Sequence, residues 1–402
     1  MIELIVYNQY MKMNETPSGN RVHIAFFGRR NTGKSSLVNA VTGQNLALVS
    51  EVKGTTTDPV YKAMELLPLG PVVIIDTPGF DDVGELGELR VQRAKKVLNR
   101  SDAAVLVVEG QSLLPDEKEL VEIFKERKIS YLIARNKCDL LDTVPEGCEF
   151  LPVSAKTGLN INLLKEKIAE IAMPHESDRK LVADLIKPLD LAVLVIPIDK
   201  AAPKGRLILP QQQVIRDILE AGGAAVSVRE SELEKTLAML GKKPALVITD
   251  SQAFALVSKV VPQDIPLTSF SILFARYKGF LETSLRGAAA LDSINSGDKI
   301  LICEGCTHHR QCDDIGTVKL PRWIREHTAK EPEFSFCSGG DYPQDLSPYK
   351  LVVHCGACML NEREMQYRRK QAEEQNIPFT NYGITIAHIQ GILRRSVAML
   401  NV

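Results

Sequence analysis

Long hydrophobic runs are absent from this sequence of 402 residues, and no apolar stretch approaches the length that spans a bilayer. The stretch "LAVLVIPI" at 191–198 has the length of a buried strand. The first residues, "MIELIVYNQYMKMNE", lack the basic segment and the long apolar core of an export signal. We therefore expect a cytoplasmic protein that does not enter a membrane.

An excess of charge of one sign is also missing, because the formal net charge is −1. This balance provides no overall attraction for nucleic acid or anionic lipid. A basic stripe with interleaved aromatic residues, which RNA-binding surfaces favour, is not evident. Neither are internal repeats or low-complexity tracts. We therefore expect no nucleic-acid partner and no membrane partner.

Apolar strands alternate with amphipathic helical patterns in the first part of the chain, from residue 22 to about residue 173. This pattern predicts a doubly wound α/β domain with a mainly parallel sheet, which we assign to residues 1–175. A polar, proline-containing segment at 173–180 then predicts a linker. The predicted strands of this domain are at 22–27, 72–76, 103–108 and 131–135.

The chain is too long for one core of ordinary size, and two further regions follow the linker. Residues 178–262 predict a small α/β domain whose three short strands lie at 191–198, 224–228 and 245–250. A three-stranded sheet leaves an exposed edge, so we expect this domain to self-associate. Residues 263–402 predict a mixed α/β domain that begins with one amphipathic helix at 268–294 and carries a charged helix at 361–376.

The stretch "GRRNTGKS" follows the first predicted strand and matches the phosphate-binding loop pattern G-x-x-x-x-G-K-[ST]. Gly28 and Gly33 allow the backbone to curl so that successive N–H groups face phosphate oxygens. Lys34 is expected to bind the β- and γ-phosphates, and the Ser35 hydroxyl is expected to bind Mg²⁺. This loop therefore predicts a nucleoside triphosphate site.

Three motifs that follow later strands identify the base. Asp76 of "DTPG" is expected to reach the magnesium shell, and the N–H of Gly79 to reach the γ-phosphate. Asp139 of "NKCD" can accept from both the ring N–H and the amino group of guanine, a donor pair that adenine does not present. Asn136 is expected to tie this loop to the phosphate loop, and the Ala155 N–H of "SAK" to bind the guanine carbonyl.

The candidate ligands thus predict GTP with Mg²⁺, and the segment "GTTTD" supplies Thr56 as a further magnesium ligand. We expect Lys34, Asp76 and Gly79 to act in catalysis. The remaining residues that we assign to nucleotide binding are Thr32, Ser36, Thr55, Lys137, Ser154 and Lys156.

This order of motifs resembles the TrmE/Era branch of the translation-factor-like GTPases, over residues of about 20 to 173. The resemblance implies a K⁺ ion bound with the help of Asn31. It also implies slow intrinsic hydrolysis, because Phe80 stands where Ras-like enzymes carry a catalytic glutamine. Acidic residues from Asp81 to Glu88 are either groups that position water or an acidic surface on a mobile loop.

Cysteine and histidine are concentrated near the other end of the chain, where six of the 8 Cys lie within 56 residues. Disulfides are rare in the cytoplasm, so close Cys and His groupings indicate metal binding or catalysis. Each of two C-x-x-C pairs, 303–306 and 355–358, has the spacing at which two thiolates bind one metal centre. This spacing alone leaves a structural zinc site and other metal centres open.

The GTPase motifs, the small middle domain and the pattern C-x-H followed by H-C-x-x-C together resemble the HydF family, which acts in maturation of [FeFe]-hydrogenase. The resemblance covers essentially the whole chain. It implies a [4Fe–4S] cluster on Cys306, Cys355 and Cys358, and a labile fourth ligand for which His308, His354, a carboxylate or water are candidates. Cys303 and Cys312 are either alternative thiolates or packed side chains, and Cys138 and Cys148 are not expected to be ligands.

The resemblance also implies a function and partners. The chain is expected to be a GTP-hydrolysing scaffold that carries a diiron precursor to apo [FeFe]-hydrogenase, with two radical-SAM maturases as further partners. The middle domain is expected to form a homodimer, and a tetramer stays open. The alternative is a TrmE/Era-like GTPase that acts on tRNA or the ribosome and carries a zinc-binding module.

Overall fold

The computed structural model describes residues 16, 18–43, 59–79, 95–141, 150–172, 179–198, 207–305 and 314–400. These residues divide into two compact units, Met1–Ser177 and Asp178–Val402. Within these ranges, no helix combines the length and the apolar character needed to cross a bilayer. Most of the linker predicted at 173–180 lies outside the described residues.

The first unit is built on a six-stranded sheet with the order β2-β3-β1-β4-β5-β6. β2 pairs antiparallel with β3, and the other neighbouring strands pair in parallel. Parallel strands covered on both faces need apolar side chains on both faces, which explains the continuous hydrophobic runs of β1 and β4. The strands are β1 Val22–Gly28, β2 Val60–Leu66, β3 Gly70–Asp76, β4 Ala103–Val108, β5 Ser130–Arg135 and β6 Leu151–Pro152.

Two separate cores cover the faces of this sheet, because successive side chains of a strand point to opposite faces. Ile24 and Phe26 belong to one core, and Ala25 and Phe27 belong to the other. The sequence prediction of a doubly wound domain with a mainly parallel sheet is therefore confirmed. This unit includes the helices α1 Lys34–Thr42, α2 Pro115–Glu126 and α3 Ile161–Ala172.

The second unit contains two four-stranded sheets, and every strand pair in them is parallel. The first sheet has the order β10-β9-β7-β8, with β7 Leu191–Val195, β8 Ala224–Val228, β9 Leu246–Thr249 and β10 Leu267–Ser269. The second has the order β12-β11-β13-β14, with β11 Lys299–Glu304, β12 Glu333–Ser338, β13 Leu351–His354 and β14 Phe379–Asn381.

Helices connect these strands and cover their faces. Those of the first sheet are α4 Leu209–Glu220, α5 Leu233–Met239, α6 Phe254–Val260, α7 Phe270–Tyr277 and α8 Leu281–Ala288. Those of the second sheet are α9 Leu320–Thr328, α10 Glu362–Glu374, α11 Tyr382–Ile389 and α12 Leu393–Val397. The charged helix predicted at 361–376 is therefore confirmed as α10.

Two predictions for this region were wrong. The first sheet has four strands rather than three, because β10 adds to β9. The helix predicted over 268–294 is divided into β10, α7 and α8. Gly279 has a φ of 72° and lies between the two helices, in the left-handed region where a helix ends.

The two sheets are copies of one architecture, although no repeat is evident from the sequence. In each, strands taken in chain order lie in the order second, first, third, fourth. Backbone hydrogen bonds recur at equivalent positions: the Asp250 N–H donates to the Val195 oxygen, as the Cys355 N–H donates to the Cys303 oxygen. The last strand in each copy begins after Ile-Pro, in "IPLTSF" at 265–270 and "IPFTNY" at 377–382.

The two copies, about residues 181–285 and 289–397, share a single hydrophobic core that extends from Leu181 to Leu400. α7 and α11, which follow the last strand of each copy, are in contact, and the side-chain amide of Asn381 donates to the Ser271 oxygen at 3.0 Å. α8 of the first copy packs on β14, and α12 of the second packs on β10. The copies are therefore interlocked. The boundary that we placed between residues 262 and 263 stays a prediction.

Candidate functional site

The phosphate-loop motif connects β1 to α1. Gly28 and Gly33 are required for steric reasons, since a Cβ atom on Gly28 would lie 2.7 Å from the Val107 oxygen and one on Gly33 would lie 2.3 Å from Asn136 Nδ2. Gly33 also has a φ of 78°. The loop therefore places its backbone against the neighbouring loops, and it leads into the N-terminus of α1, where helix N–H groups favour anions.

Lys34, Ser35 and Asp76 form one hydrogen-bonded group. The Lys34 ammonium is buried and forms an ion pair with Asp76 Oδ1, and the Ser35 hydroxyl donates to Asp76 Oδ2 at 2.7 Å. Asp76 reaches this position because β3, which it ends, lies beside β1 in the sheet. A hydroxyl and a carboxylate fit the oxygen ligands that Mg²⁺ prefers, so Ser35 and Asp76 can hold that ion with a nucleotide.

Asn136 ties the loop after β5 to the phosphate loop, as the sequence predicts. Its side-chain amide donates to the Thr32 oxygen at 2.9 Å. Its side-chain oxygen accepts from the Ala155 N–H at 3.0 Å. This second contact differs from the prediction, which assigned the Ala155 N–H to the guanine carbonyl. Three loops that follow separate strands are thus joined by one buried amide.

Asp139 and Ser154, which follow β5 and β6, are in direct contact. The Ser154 hydroxyl donates to Asp139 Oδ1 at 2.6 Å. Lys137 has a φ of 63° and forms an ion pair with Glu109. The structure therefore brings the two motifs that predict guanine recognition together at one end of the sheet.

Four other predicted nucleotide ligands are exposed or half-buried. Asn31 is exposed and has a φ of 61°, Lys156 is exposed, and Ser36 and Gly79 are half-buried. Several predicted residues lie outside the described ranges: Thr55, Thr56, Phe80 and the acidic residues between Asp81 and Glu88.

A second group of candidate residues follows the carboxyl ends of β11 and β13, which are neighbours in the second sheet of the second unit. Cys355 comes directly after β13, and its Sγ accepts from the Ala357 N–H at 3.3 Å. It also accepts from the Gly305 N–H, at 3.1 Å, in the loop after β11. Cys306 is the next residue of that loop, although Cys306, His308, His309 and Cys312 lie outside the described residues.

A lysine that the sequence analysis missed lies beside this cysteine loop. Lys278, at the end of α7, is buried and its ammonium donates to the Leu360 oxygen. Burial lowers the pKa of Lys278 to about 8, and the charges of Cys358 and Cys355 act in the opposite direction. Burial raises the pKa of the Cys358 thiol, while Lys278 lowers it. The net pKa of Cys358 is raised, and the buried cation offsets part of the effect by which burial disfavours the thiolate.

His354 is fully buried, and both of its ring nitrogens have partners. Nδ1 lies 3.0 Å from the Cys355 oxygen, and Nε2 lies 3.0 Å from Arg368 Nη1. Because the guanidinium can only donate, Nε2 is the acceptor and the imidazole is neutral. Burial, followed by the charge of Arg368, lowers the pKa of His354 to about 3. Both ring nitrogens of His354, one of the candidates for the fourth iron ligand, are therefore engaged by protein groups.

The sequence analysis also missed Arg368. Its helix, α10, is rich in charged residues, and such a sequence pattern does not indicate a buried face. Its guanidinium is fully buried and donates to Glu364 Oε1 at 2.9 and 2.8 Å, one turn earlier on α10. The signal that could have identified it is the apolar side chain of Met365, which shows that this face of α10 is buried. Arg368 holds the His354 ring, and thus the start of the cysteine loop.

The remaining cysteines of the described residues are packed in the two units. Cys303 and Cys337 are paired residues of β11 and β12, and their sulfur atoms are 2.9 Å apart in the core. Cys138 is buried, and its Sγ donates to the Arg135 oxygen at 3.2 Å. Cys148 lies outside the described residues.

Three protein-family models match this chain. The model described as the 50S ribosome-binding GTPase matches residues 23–137. The hydrogen maturase F dimerization domain matches residues 181–279, and the hydrogen maturase F tetramerization domain matches residues 282–399. The two hydrogen maturase F models together match more than half of the chain, and they divide it between α7 and α8.

Similar curated proteins include two tRNA modification GTPases, each of which matches less than half of this chain. The tRNA modification GTPase MnmE of Desulfotalea psychrophila is 36% identical over 37% of this chain and 34% of its own length. That of Lactococcus lactis is 33% identical over 39% of this chain and 35% of its own length. The chain thus spans about a third of the length of these relatives. Among solved structures, the G domain of the T. maritima FeoB iron transporter is 26% identical over 38% of this chain and 99% of its own, with a TM-score of 0.29.

Proposed function

Since the chain belongs to the hydrogen maturase F family and is a GTPase of that type, we propose that it is a scaffold and carrier for [FeFe]-hydrogenase maturation. It hydrolyses GTP with Mg²⁺ and K⁺, and it binds a [4Fe–4S] cluster through Cys306, Cys355 and Cys358. Its cargo is a diiron precursor, which it delivers to apo-hydrogenase. Its other partners are two radical-SAM maturases, and its location is the cytoplasm.

The observation that supports the cluster most directly is the hydrogen bond from the Gly305 N–H to Cys355 Sγ at 3.1 Å. It brings the loop that continues into Cys306 against the sulfur of Cys355, although 50 residues separate Gly305 from Cys355. Thiolates are the ligands that iron–sulfur clusters prefer, and N–H groups that donate to sulfur are part of the environment that sets their potential. The donor set at this edge therefore fits a cluster.

Three thiolates leave one iron of such a cluster with an exchangeable ligand, which is the chemistry a carrier needs. Both ring nitrogens of His354 already have hydrogen-bond partners, so we propose that His354 holds the cysteine loop in place. His308, a carboxylate or water is then the fourth ligand. Lys278 offsets part of the negative charge of the thiolates. Arg368 fixes the ring that precedes Cys355.

The GTPase unit is proposed to control this carrier. Lys34 binds the β- and γ-phosphates, Ser35 and Asp76 hold Mg²⁺, and Asp139 binds guanine. Asn31, which is exposed at the phosphate loop, takes part in K⁺ binding. The family models describe dimerization and tetramerization domains, which supports self-association in the second unit.

Metal content and activation of hydrogenase test the proposal together. The protein is purified without oxygen, and its iron, sulfide and visible absorption are measured. Cys355→Ser and Cys358→Ser are expected to lose most of the iron and sulfide and to stop activation of apo-hydrogenase, while GTP hydrolysis persists. Cys337→Ser is the matched control, since this buried thiol pairs with Cys303 and is not a proposed ligand.

The alternative, a GTPase of tRNA or the ribosome with a zinc module, makes the opposite prediction for the same sample. One zinc ion without iron, or bound nucleic acid in the purified protein, would replace the proposal with this alternative. Unchanged iron and sulfide in both cysteine variants would remove the assigned ligands.

A further inference from the structure

Three metal-ligating side chains that no nucleotide or cysteine motif includes converge on the surface of the second unit. Asp292 precedes β11, His327 lies in the last turn of α9, and His388 lies in the last turn of α11. One ligand atom from each residue lies within 4.8 Å of the ligand atoms of the other two. The group combines two imidazoles and one carboxylate.

The distances within this group match those of metal ligands. His327 Nε2 lies 3.0 Å from Asp292 Oδ1, and His388 Nε2 lies 3.1 Å from both Asp292 oxygens. Ligands about 2.0–2.1 Å from a tetrahedral metal ion are separated from each other by about 3.3 Å. Only small side-chain shifts would therefore allow one ion to bind between the imidazole nitrogens and the carboxylate.

The internal repeat shows what an ordinary ion pair looks like at this position. Asp184 precedes β7 as Asp292 precedes β11, and Arg276 lies in α7 where His388 lies in α11. In the first copy, the Arg276 guanidinium donates to both oxygens of Asp184. A guanidinium does not bind metal ions, because it cannot be deprotonated in a protein.

The second copy replaces this arginine with His388 and adds His327 from another helix. The centroids of the two imidazole rings are 5.6 Å apart and the ring planes form an angle of 69°. The rings are therefore not stacked, and the Nε2 atom of each lies near the Asp292 carboxylate. The imidazole side chains are partly buried, with 25% and 22% of the His327 and His388 side chains exposed, and 58% of Asp292 is exposed. Water can therefore reach the remaining coordination positions.

We propose that Asp292, His327 and His388 form a mononuclear binding site for a divalent first-row transition metal. Two imidazoles and one carboxylate suit zinc, and the same set with open positions suits ferrous iron. Mg²⁺ is not expected to bind, because it prefers oxygen ligands. The described residues supply three ligands, which leaves further coordination positions for water or another ligand.

The site is distinct from the cysteine loops. Asp292 precedes the amino end of β11, whereas Gly305 and Cys355 follow the carboxyl ends of β11 and β13. His388 lies at the far end of α11 from Asn381, which ends β14. The proposed site thus lies at the amino ends of the strands, whereas the cysteines lie at their carboxyl ends. Metal binding at the proposed site can therefore be measured in protein whose cysteines are changed.

The test uses the full chain with Cys355→Ser and Cys358→Ser, so that two of the three proposed cluster ligands are removed. Co²⁺ and Zn²⁺ are added without oxygen, and Fe²⁺ is added in a separate titration. One equivalent of Co²⁺ is expected to give visible d–d absorption without a sulfur-to-cobalt band, and Zn²⁺ is expected to displace it. Mg²⁺ in excess is expected to leave the spectrum unchanged.

Variants then assign the ligands. His327→Gln, His388→Gln and Asp292→Asn are each expected to weaken Zn²⁺ binding by about tenfold or more. Asp184→Asn, which removes the equivalent carboxylate in the first copy, is the matched control and is expected to bind as the parent does. Circular dichroism and GTP hydrolysis serve as checks that each variant is folded.

The proposal would be overturned if the three ligand variants bound Zn²⁺ as tightly as the Asp184→Asn control. It would also be overturned if the parent bound no equivalent of Co²⁺ or Zn²⁺ with high affinity. In either case Asp292 is an ion-pair partner of two histidines. The proposal does not depend on the iron–sulfur cluster, because a failed cluster assignment leaves the Co²⁺ spectrum of this site unchanged.

Discussion

The Ser154 hydroxyl donates to Asp139 Oδ1 at 2.6 Å, and this contact joins the two motifs that follow β5 and β6. A carboxylate has two oxygens and about four lone pairs, so Asp139 can still accept from the two donors of guanine. Ser154 itself is buried, and its hydroxyl also accepts from the Thr157 N–H at 3.2 Å. Asp139 is therefore held in one orientation before the base binds.

We expect Asp139→Asn to weaken guanine binding about 10- to 100-fold, because hydrogen bonds to a charged group contribute about 1.5–3 kcal/mol. The new amide replaces one acceptor oxygen with a donor. Titration with fluorescent GDP and ADP analogues measures the selectivity, and Ser154→Ala is the control, which should cause a smaller loss. If Asp139→Asn still strongly prefers guanine, the assignment of base recognition to Asp139 is wrong.

The phosphate loop gives a second prediction, which concerns K⁺. We expect faster hydrolysis in K⁺ than in Na⁺, and we expect Lys34→Ala to abolish turnover because it removes a charge that positions the phosphates. Asn31 has a φ of 61°, so alanine there would add backbone strain. Asn31→Gly removes the amide without that strain and should bring the rate in K⁺ down to the rate in Na⁺. Equal wild-type rates in both salts would exclude the potassium site and leave the GTPase assignment intact.

The sequence predicted the first unit well, because its motifs follow strands that are hydrophobic on both faces. β1, β3, β4 and β5 lie where the apolar runs are, and the contact of Asn136 with the phosphate loop follows from parallel strands that end at one edge. The contact of Ala155 with Asn136 could not be predicted. It depends on how far the loops after β5 and β6 extend beyond the ends of their strands, which the sequence motifs do not specify.

The helix bounds, the internal repeat and the buried charged residues of the second unit were predicted less well, and each for a different physical reason. Gly279, which ends α7, is a local signal that an amphipathic helical pattern can hide. The internal repeat rests on matching backbone hydrogen bonds, with only scattered sequence identities such as Thr268 and Thr380. The burial of Lys278 depends on tertiary packing, which the sequence pattern of a lysine does not reveal.

The edge strand β8 leads to a prediction about self-association. It is the outer strand of the first sheet among the described residues, and its N–H groups point alternately to β7 and away from it. Ala224 donates to Asp190, so the N–H of Ser227 faces outward. Ser227→Pro should remove one outward donor and weaken a dimer that pairs across this edge, whereas Ser227→Thr should retain it. Sedimentation velocity measures the change, and an unchanged dimer in Ser227→Pro would place the interface elsewhere.

The buried, neutral His354 predicts a pH dependence of stability. Its pKa is lowered to about 3 in the folded chain, so below about pH 6.5 the unfolded chain binds a proton that the folded chain does not. The free energy of unfolding should therefore fall as the pH decreases from about 6.5 towards 3, by up to about 1.4 kcal/mol per pH unit from this group.

Urea unfolding of metal-free protein under reducing conditions measures this slope. The chain has one tryptophan, Trp323 in α9, so its fluorescence reports on the second unit alone. His354→Gln should unfold at a lower urea concentration at pH 7 and should show a shallower pH dependence. Parallel slopes for the two proteins would mean that His354 titrates normally in the fold.

Lys278 gives the last prediction, which separates its electrostatic role from its structural one. A buried ammonium is costly, and burial lowers its pKa to about 8 although the neighbouring Cys358 and Cys355 act in the opposite direction. Lys278→Met removes the cost of the buried charge but also removes the donor to the Leu360 oxygen. Because these effects oppose each other, we expect the free energy of unfolding of the metal-free protein to change by less than about 2 kcal/mol. With the cluster bound, loss of a neighbouring positive charge should lower the reduction potential, since the reduced cluster is the more negative form. A redox titration followed by electron paramagnetic resonance measures the shift. Lys299→Met, which removes a half-exposed lysine at the start of β11, is the control for net charge and should leave the potential unchanged. Equal potentials in the parent and both variants would leave Lys278 with a structural role alone, as the donor to the Leu360 oxygen.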